Sequence, residues 1–443
     1  WADFSVFKEK GSMVIAESQG AYIYDADGKR YLDGIGGIWC VNIGYGREEM
    51  AAAIAEQTMR LAYANPFTDT TNPPSAELAE KLSRLCPHPL NHVFFSTGGS
   101  MANDTAVRIV HFYFNQLGQP QKKHIISRKE AYHGSTYLAM SLTGVEEDHV
   151  GFDIIDDWIH YVSAPYTYRR PEGMTVDEYC DFLVEELEQK ILEIGPEKTA
   201  AFIAEPIMGA GGVIVPPPHY HRRTQAVCQK YGVLYISDEV VTGFGRLGHF
   251  FASEPVFDLT PDIITCAKGL TSGYLPLAAT ILSDEMYDVI SVPQADGAAF
   301  YHGFTYSGHP VCCAAGLKNI EIIEKEDICG YVREVGPYFE AQLKTLLDLP
   351  IVGDVRGSHF MLCVENVANK ETKERFGSGI GIGSRISRYA QQRGLIVRPI
   401  DHLNVLSPPL ILTKEEIDEL VAVLRESILL TMDDLVREGI WKG

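Results

Sequence analysis

The stretch VLYISDEVVTG at 233–243 reads as a short apolar strand that stops on two acids, Asp238 and Glu239. A second apolar run, DIITCAKGL at 262–270, stops on a single lysine, Lys268. Runs that are apolar throughout, rather than alternating, mark strands covered on both faces of a parallel sheet. More of them lie to either side: HVFFS (92–96), HIIS (124–127), AAFIAEP (200–206) and LAATIL (277–282). Helical patterns fall between several of them, at 100–117 and 217–231. Strands alternating with helices predict an α/β chain with a mostly parallel central sheet and helices on both faces.

Toward the N-terminus, AYIYDADGKRYLD (21–33) places alternating apolar residues around Asp27-Gly28 and predicts a hairpin. From about 309 the pattern becomes long helix (309–325, 331–348), then short strands near 350–365 and 394–400, then an amphipathic helix from Thr413. The segment 285–308 reads as a long loop. These features predict a large domain over 46–312 and a smaller α+β domain made from 1–45 and 313–443. The 443 residues are 46% hydrophobic, enough for cores of that size. A net charge of −21 disfavours nucleic acid and anionic membrane as partners. No apolar run is long enough to predict a membrane span, and no basic-then-apolar leader opens the sequence. Nine Cys, scattered through apolar segments without metal-ligand spacing, read as reduced core thiols. The expectation is a cytoplasmic protein without a metal centre.

In open parallel sheets ligands bind beyond the carboxyl ends of the strands. A carboxylate there, such as Asp238, either holds a heterocyclic nitrogen protonated or caps a following helix. Lysine is rarely buried without a task. Desolvated after a buried strand, Lys268 is a nucleophile toward carbonyls; left at the surface, it merely snorkels. HVFFSTGGSMAND (92–104) carries a strand through Gly98-Gly99-Ser100 into a helix, which suits a phosphate or a plain turn. It has neither the Walker pattern nor dinucleotide glycine spacing. Tyr132, after the strand at 124–127, is placed to stack on a flat ring or to pack in the core. His133 beside it is a candidate base, though a structural histidine fits as well. Glycines 209, 211 and 212 run into VIVPPP rather than a helix, so a nucleotide loop is rejected. Together the strand exits offer a phosphate cradle, a stacking ring, an anion for a pyridinium nitrogen and a Schiff-base lysine, the set that pyridoxal 5′-phosphate (PLP) requires.

The ordered series YDADGKRYLDGIGGIW (24–39), STGGSMAND (96–104), AYHG (131–134), AEPIMGAGG (204–212), SDEVVTGFGR (237–246), AKGL (267–270), HGFTYSGHP (302–310) and GLIVRP (394–399) resembles the class III (ω) aminotransferases. These have PLP fold type I, the aspartate-aminotransferase-like fold. The resemblance covers nearly the whole chain. It implies that Lys268 carries the cofactor, that Asp238 pairs with the pyridine nitrogen, and that Tyr132 and Val241 hold the ring between them, with His133 beside it. It implies Gly99 and Ser100 at the phosphate, Glu205 near the phenolic oxygen, and Thr305 reaching the phosphate of a neighbouring subunit. The functional unit would then be a homodimer, or a dimer of dimers, with sites at the subunit interface. Arg398 is similar to the mobile arginine that grips a substrate carboxylate.

Within the family, Trp39, Tyr132 and the phrase GIWCVNIGYG are most similar to the amine:pyruvate transaminase branch. The resemblance there implies an aromatic-walled pocket for amines lacking a carboxylate, with Phe67 lining it from across the dimer. Trp39 also reads as a core aromatic beside the hairpin. One departure is Met101, where the family often has an acid. The implied reaction is transfer of an amino group from a primary amine or ω-amino acid to an α-keto acid such as pyruvate, in two half-reactions. A decarboxylase, aminomutase or epimerase on the same scaffold shares Lys268 and Asp238. A non-catalytic PLP-binding regulator needs fewer of these residues.

Overall fold

In the computed structural model the described residues are 8, 11–67, 69–292 and 297–442. The chain opens on an antiparallel meander, β1 (Ile15–Gln19), β2 (Tyr22–Asp25) and β3 (Arg30–Asp33). The turn between β2 and β3 is closed by the Asp25 carboxylate, which accepts from the Asp27 and Lys29 amides. Gly28 there has a φ of +78°, which a glycine adopts without strain. This is the hairpin expected at 21–33.

Seven strands then form the central sheet: β4 (Leu90–Ser96), β5 (His124–Arg128), β6 (Ile159–Val162), β7 (Thr199–Ala204), β8 (Leu234–Asp238), β9 (Ile263–Cys266) and β10 (Ala278–Ser283). Their order across the sheet is β4-β10-β9-β8-β7-β5-β6. β5, β6, β7, β8 and β9 pair in parallel. β10 runs antiparallel to both of its neighbours, so β4 points the same way as the rest. β7 and β10 are buried at every position, which is why they read as continuous apolar runs. The helix Gly99–Gln116 packs Ala106, Val107 and Val110 against Ile203, Ile236 and Ile263 of the sheet. The opposite face is covered by the helices Val176–Ile194 and Tyr220–Lys230. A Thr175/Glu178 capping box starts the first of these.

Two details depart from the expectations. IHYV at 159–162 forms strand β6 at the sheet edge, although it is too short and too mixed to stand out in the sequence. The segment 285–308 is not a loop throughout. Asp284–Ile290 is helical, because the Ser283 hydroxyl caps it by accepting from the Met286 amide. Residues 293–296 of that segment lie outside the described residues, as do the first residues of 1–45.

The C-terminal part holds the helices Pro310–Lys325 and Ile328–Lys344, then β11 (Val352–Ser358) and β12 (Met361–Asn366). β13 (Leu395–Ile396), β14 (Arg398–Ile400), β15 (Leu403–Leu406) and the helix Lys414–Arg437 follow, the last capped by Thr413. β11-β12-β15-β14 form one antiparallel sheet. β13 instead joins the N-terminal meander, pairing Leu395 with Leu32 in parallel. Among the described residues no helix is long and apolar enough to cross a membrane. No group of three or more His, Cys, Asp or Glu side chains there could hold a metal ion.

Candidate active site

Because β4, β5, β7, β8 and β9 point the same way, their exits share one edge of the sheet. That edge carries Gly98–Ser100, Tyr132 and His133, Glu205, Asp238 and Lys268. One cavity of about 260 Å³ is lined by Trp39, Gly99, Ser100, Tyr132, His133, Glu205, Asp238, Val241, Lys268 and Arg398. Ten of the residues singled out in the sequence therefore meet in one place.

Asp238 ends β8 with its side chain buried. Oδ2 accepts from Asn103 Nδ2 at 2.8 Å and pairs with His133 Nδ1 at 2.8 Å. Oδ1 accepts from the Val240 amide at 3.1 Å. No helix follows β8, so Asp238 is not a helix cap. Glu239 faces elsewhere: its carboxylate accepts from the Ala252 and Ser253 amides and from the Ser253 and Thr242 hydroxyls. Successive strand residues point to opposite faces, and this separates the two acids.

Lys268 follows β9 and opens a single turn of tight helix. Its φ is +45°, as Trp39's is +67°. Left-handed backbone at non-glycine residues is strained and gathers at functional sites. Burial pushes the Lys268 amine below its ordinary range, and the charge of Asp238 works against that. Glu205, also buried, accepts from the Tyr132 amide (3.1 Å) and the Gly209 amide (2.8 Å). Burial pushes its carboxyl up. Arg398 opens β14, and burial lowers it, an effect that Tyr132 and Asp148 offset.

The helix Gly99–Gln116 begins at Gly98 without a side-chain cap, so its first amides remain available to an anion. Two glycines keep the approach clear. A Cβ on Gly99 would lie 2.9 Å from Val240 Cγ1, and one on Gly134 would lie 2.4 Å from Ser100 Oγ. Ser100 Oγ itself accepts from the Ser135 amide at 3.0 Å.

Residues 5–428 match the sequence profile of the family Aminotransferase class-III. The chain belongs to the class-III aminotransferase family. It is 43% identical over 429 residues to putrescine–pyruvate aminotransferase of Pseudomonas aeruginosa, covering 97% of this chain and 93% of that one. It is 41% identical over 432 residues to diaminobutyrate–2-oxoglutarate transaminase of Halomonas elongata, covering 96% and 92%. Among solved structures, a thermostable (S)-enantioselective ω-transaminase from Thermomicrobium roseum superposes with a TM-score of 0.93 at 42% identity, over 98% of this chain and 95% of that one. The ω-transaminase of Pseudomonas jessenii in complex with PMP gives 0.94 at 38% identity, over 100% and 97%. The fold is therefore that of the type I transaminases, and the chain is a PLP-dependent aminotransferase.

The aminotransferase cavity fits that cofactor. It offers unpaired helix-start amides for a phosphate, a clear glycine approach, an aromatic ring at Tyr132 and an aliphatic side chain at Val241, a fixed carboxylate and a desolvated amine. Trp39 is buried against Met361, Leu403 and Val405 and also lines the cavity. Phe67 and Thr305 do not line it. Phe67 sits in a separate cavity with Phe94 and His302, and the Thr305 carbonyl accepts from the Tyr63 hydroxyl. The sequence reading had both acting across a subunit boundary, which one chain does not display.

Two residues of the aminotransferase site escaped the sequence reading. Asn103 donates to Asp238 and to the His133 carbonyl, and accepts from the Thr265 hydroxyl, engaging both N–H groups and the oxygen of its amide. The available signal was one amide on a helix face otherwise made of Ala102, Ala106, Val107 and Val110. Asp148, which lines the cavity from 146–149, gave none.

Proposed function

We propose that this aminotransferase moves the amino group of a primary amine or ω-amino acid to an α-keto acid such as pyruvate, holding PLP on Lys268. The observation that carries the reading is the convergence of Lys268, Asp238 and the uncapped helix start at Gly99 in one cavity. When bound, PLP supplies an electron sink for the electrons released as a proton leaves the amine-bearing carbon. Lys268 Nζ, lowered by burial, takes that proton and holds it for return, acting as anchor and as general base and acid. Asp238, fixed by three hydrogen bonds, would pair with the ring nitrogen and hold a proton there. His133 and Asn103 position Asp238. Tyr132 and Val241 would hold the ring and Gly99 and Ser100 the phosphate, with Glu205 lining the same cavity.

Arg398 takes the keto acid's carboxylate, for which a guanidinium fork is suited. Trp39, Tyr132 and Phe67 form the aromatic walls, Phe67 coming from a second subunit. Thr305 likewise reaches the partner's phosphate, so the working form is a homodimer or a dimer of dimers. Residues 46–312 form the cofactor-holding unit and 1–45 with 313–443 the smaller one; the β3–β13 pairing supports this division. Nine free cysteines support a cytoplasmic setting. The named transaminases among its relatives favour transfer over decarboxylation or epimerisation.

The test is a visible spectrum of the protein loaded with PLP, taken before and after an amine and again after pyruvate. A yellow band that fades with the amine and returns with pyruvate supports both half-reactions. A band that ignores every amine overturns the donor reading.

A further inference from the structure

Lys268 opens a turn that does little to hold itself. The Leu270 amide meets the Ala267 carbonyl at 2.9 Å, but the next two bonds, Thr271 to Lys268 and Ser272 to Gly269, are 3.3 and 3.4 Å long. Lys268 and Ser272 both have left-handed backbone, with φ of +45° and +50°. That conformation is unfavourable for a residue with a Cβ and persists only where its surroundings impose it. Here the hold comes from Asn319, a fully buried amide on the helix Pro310–Lys325. Its Nδ2 donates to the Gly269 carbonyl at 2.8 Å and to the Leu270 carbonyl at 3.0 Å. Its Oδ1 accepts from the Ser272 hydroxyl at 2.6 Å. The Ser272 hydroxyl in turn accepts from the Ile43 amide at 3.2 Å, which pins the end of the turn to the N-terminal segment. The reaction above gives Asn319 no task.

We infer that Asn319 is a positioning residue for Lys268, its amide clamping the 268–272 turn in the left-handed form that delivers Nζ into the cavity. This rests on the reading of Lys268 as anchor and proton carrier, and names the residue that fixes it. Asn319 does not line the cavity, so it acts through the backbone of the turn. A lysine side chain is long and flexible, and its reach depends on where the backbone starts it. Displacing a reacting group by about 1 Å can cost about 100-fold in rate. Without the clamp the turn relaxes toward ordinary backbone and lets water back to an amine that burial now keeps low.

The test compares the parent with Asn319→Ala, Ser272→Ala and Asn366→Ala. Asn366 is the control, another buried amide, whose Nδ2 donates to the His402 carbonyl and to Asn404 Oδ1 in the smaller sheet. Stopped-flow follows loss of the visible band when saturating butylamine meets the PLP-loaded enzyme, and fluorescence titration gives the affinity for PLP. In the apoprotein, reductive methylation at a series of pH values, read by mass spectrometry of the Lys268 peptide, gives the pH midpoint of that amine. Asn319→Ala is expected to slow the band's loss about 10- to 100-fold. It should leave PLP affinity within about three-fold of the parental value and raise the Lys268 midpoint by about one pH unit. Ser272→Ala removes one of the three bonds, so rate and midpoint should move the same way by less; it decides the matter where Asn319→Ala does not fold. An unchanged rate or an unchanged midpoint overturns the inference. So does an Asn366→Ala enzyme that shifts both as far, because loosening anywhere would then suffice. If the parent's band ignores the amine, the donor reading falls, while the Lys268 midpoint in the apoprotein still decides the role of Asn319.

Discussion

Asn103 Nδ2 lies 2.8 Å from Asp238 Oδ2, and His133 Nδ1 meets the same oxygen at the same distance. The helix start that offers amides to an anion is thereby tied to the strand end that carries the carboxylate. These two bonds hold the Asp238 carboxylate in place before any ligand binds.

Asn103→Ala breaks this tie and leaves the His133 carbonyl and the Thr265 hydroxyl without their partner. Loss of a buried hydrogen bond to a charged group predicts a fall in kcat of about 10- to 100-fold. The KM for the keto acid, set elsewhere, should change little. Steady-state kinetics on a variant with a parental circular-dichroism spectrum checks both.

Lys268→Ala removes the cofactor anchor and the proton carrier together. Turnover should drop by at least about 10⁴-fold, while PLP is still retained through the helix start. Single-turnover measurements with added PLP check this, and turnover near the parental rate would sink the assignment of Lys268.

Gly134→Ala places a methyl group 2.4 Å from Ser100 Oγ and 2.7 Å from Ser100 Cα, at a residue whose φ is +140°. The phosphate cradle must shift, so PLP affinity should fall about ten-fold or more. Fluorescence titration of the apoprotein with PLP reads this directly.

Arg398→Ala removes the cation proposed for the acceptor's carboxylate. The KM for pyruvate should rise about 10- to 100-fold. A donor that lacks a carboxylate should lose far less, so separate KM values for pyruvate and butylamine provide the check.

His221 is buried, with Nε2 donating to the Pro206 carbonyl and Nδ1 facing the Tyr235 hydroxyl, and burial lowers its pKa from 6.5 to about 3. The unfolded chain therefore takes up a proton below pH 6.5 that the folded chain refuses. Stability from this group is complete above pH 6.5 and is lost as the pH falls from 6.5 toward 3. His221→Gln keeps a donor and an acceptor but does not titrate. By pH 4 its stability should gain on the parent by about 3 kcal/mol relative to their difference at neutral pH. Urea melts of both proteins across that range test the sign.

The central sheet was legible because its strands are buried on both faces, so TAAFIA and AATILS announce themselves without reference to any partner. The hairpin at Asp27-Gly28 and the helix start at Thr413 were legible because turns and caps are local chemistry. The site's main residues were legible for a related reason. A parallel sheet sends every strand exit to one edge, so Gly99, Tyr132, Asp238 and Lys268 had to be neighbours once the alternation was read, whereas Glu205 was reached only through the family resemblance.

What the sequence by itself determined is thus the α/β alternation, the exits of its strands and the chemistry gathered there. Tertiary structure alone decided the strand order, the reversal of β10, the arrival of Arg398 from β14 and the meeting of Asn319 with the Lys268 turn. It also decided which of Asp238 and Glu239 faces the site, and that Asn103 holds the one that does. The physical reason is range. Burial, capping and turn formation are written within a few residues, whereas these pairings join segments far apart in the chain, and only the packed fold sets their distances.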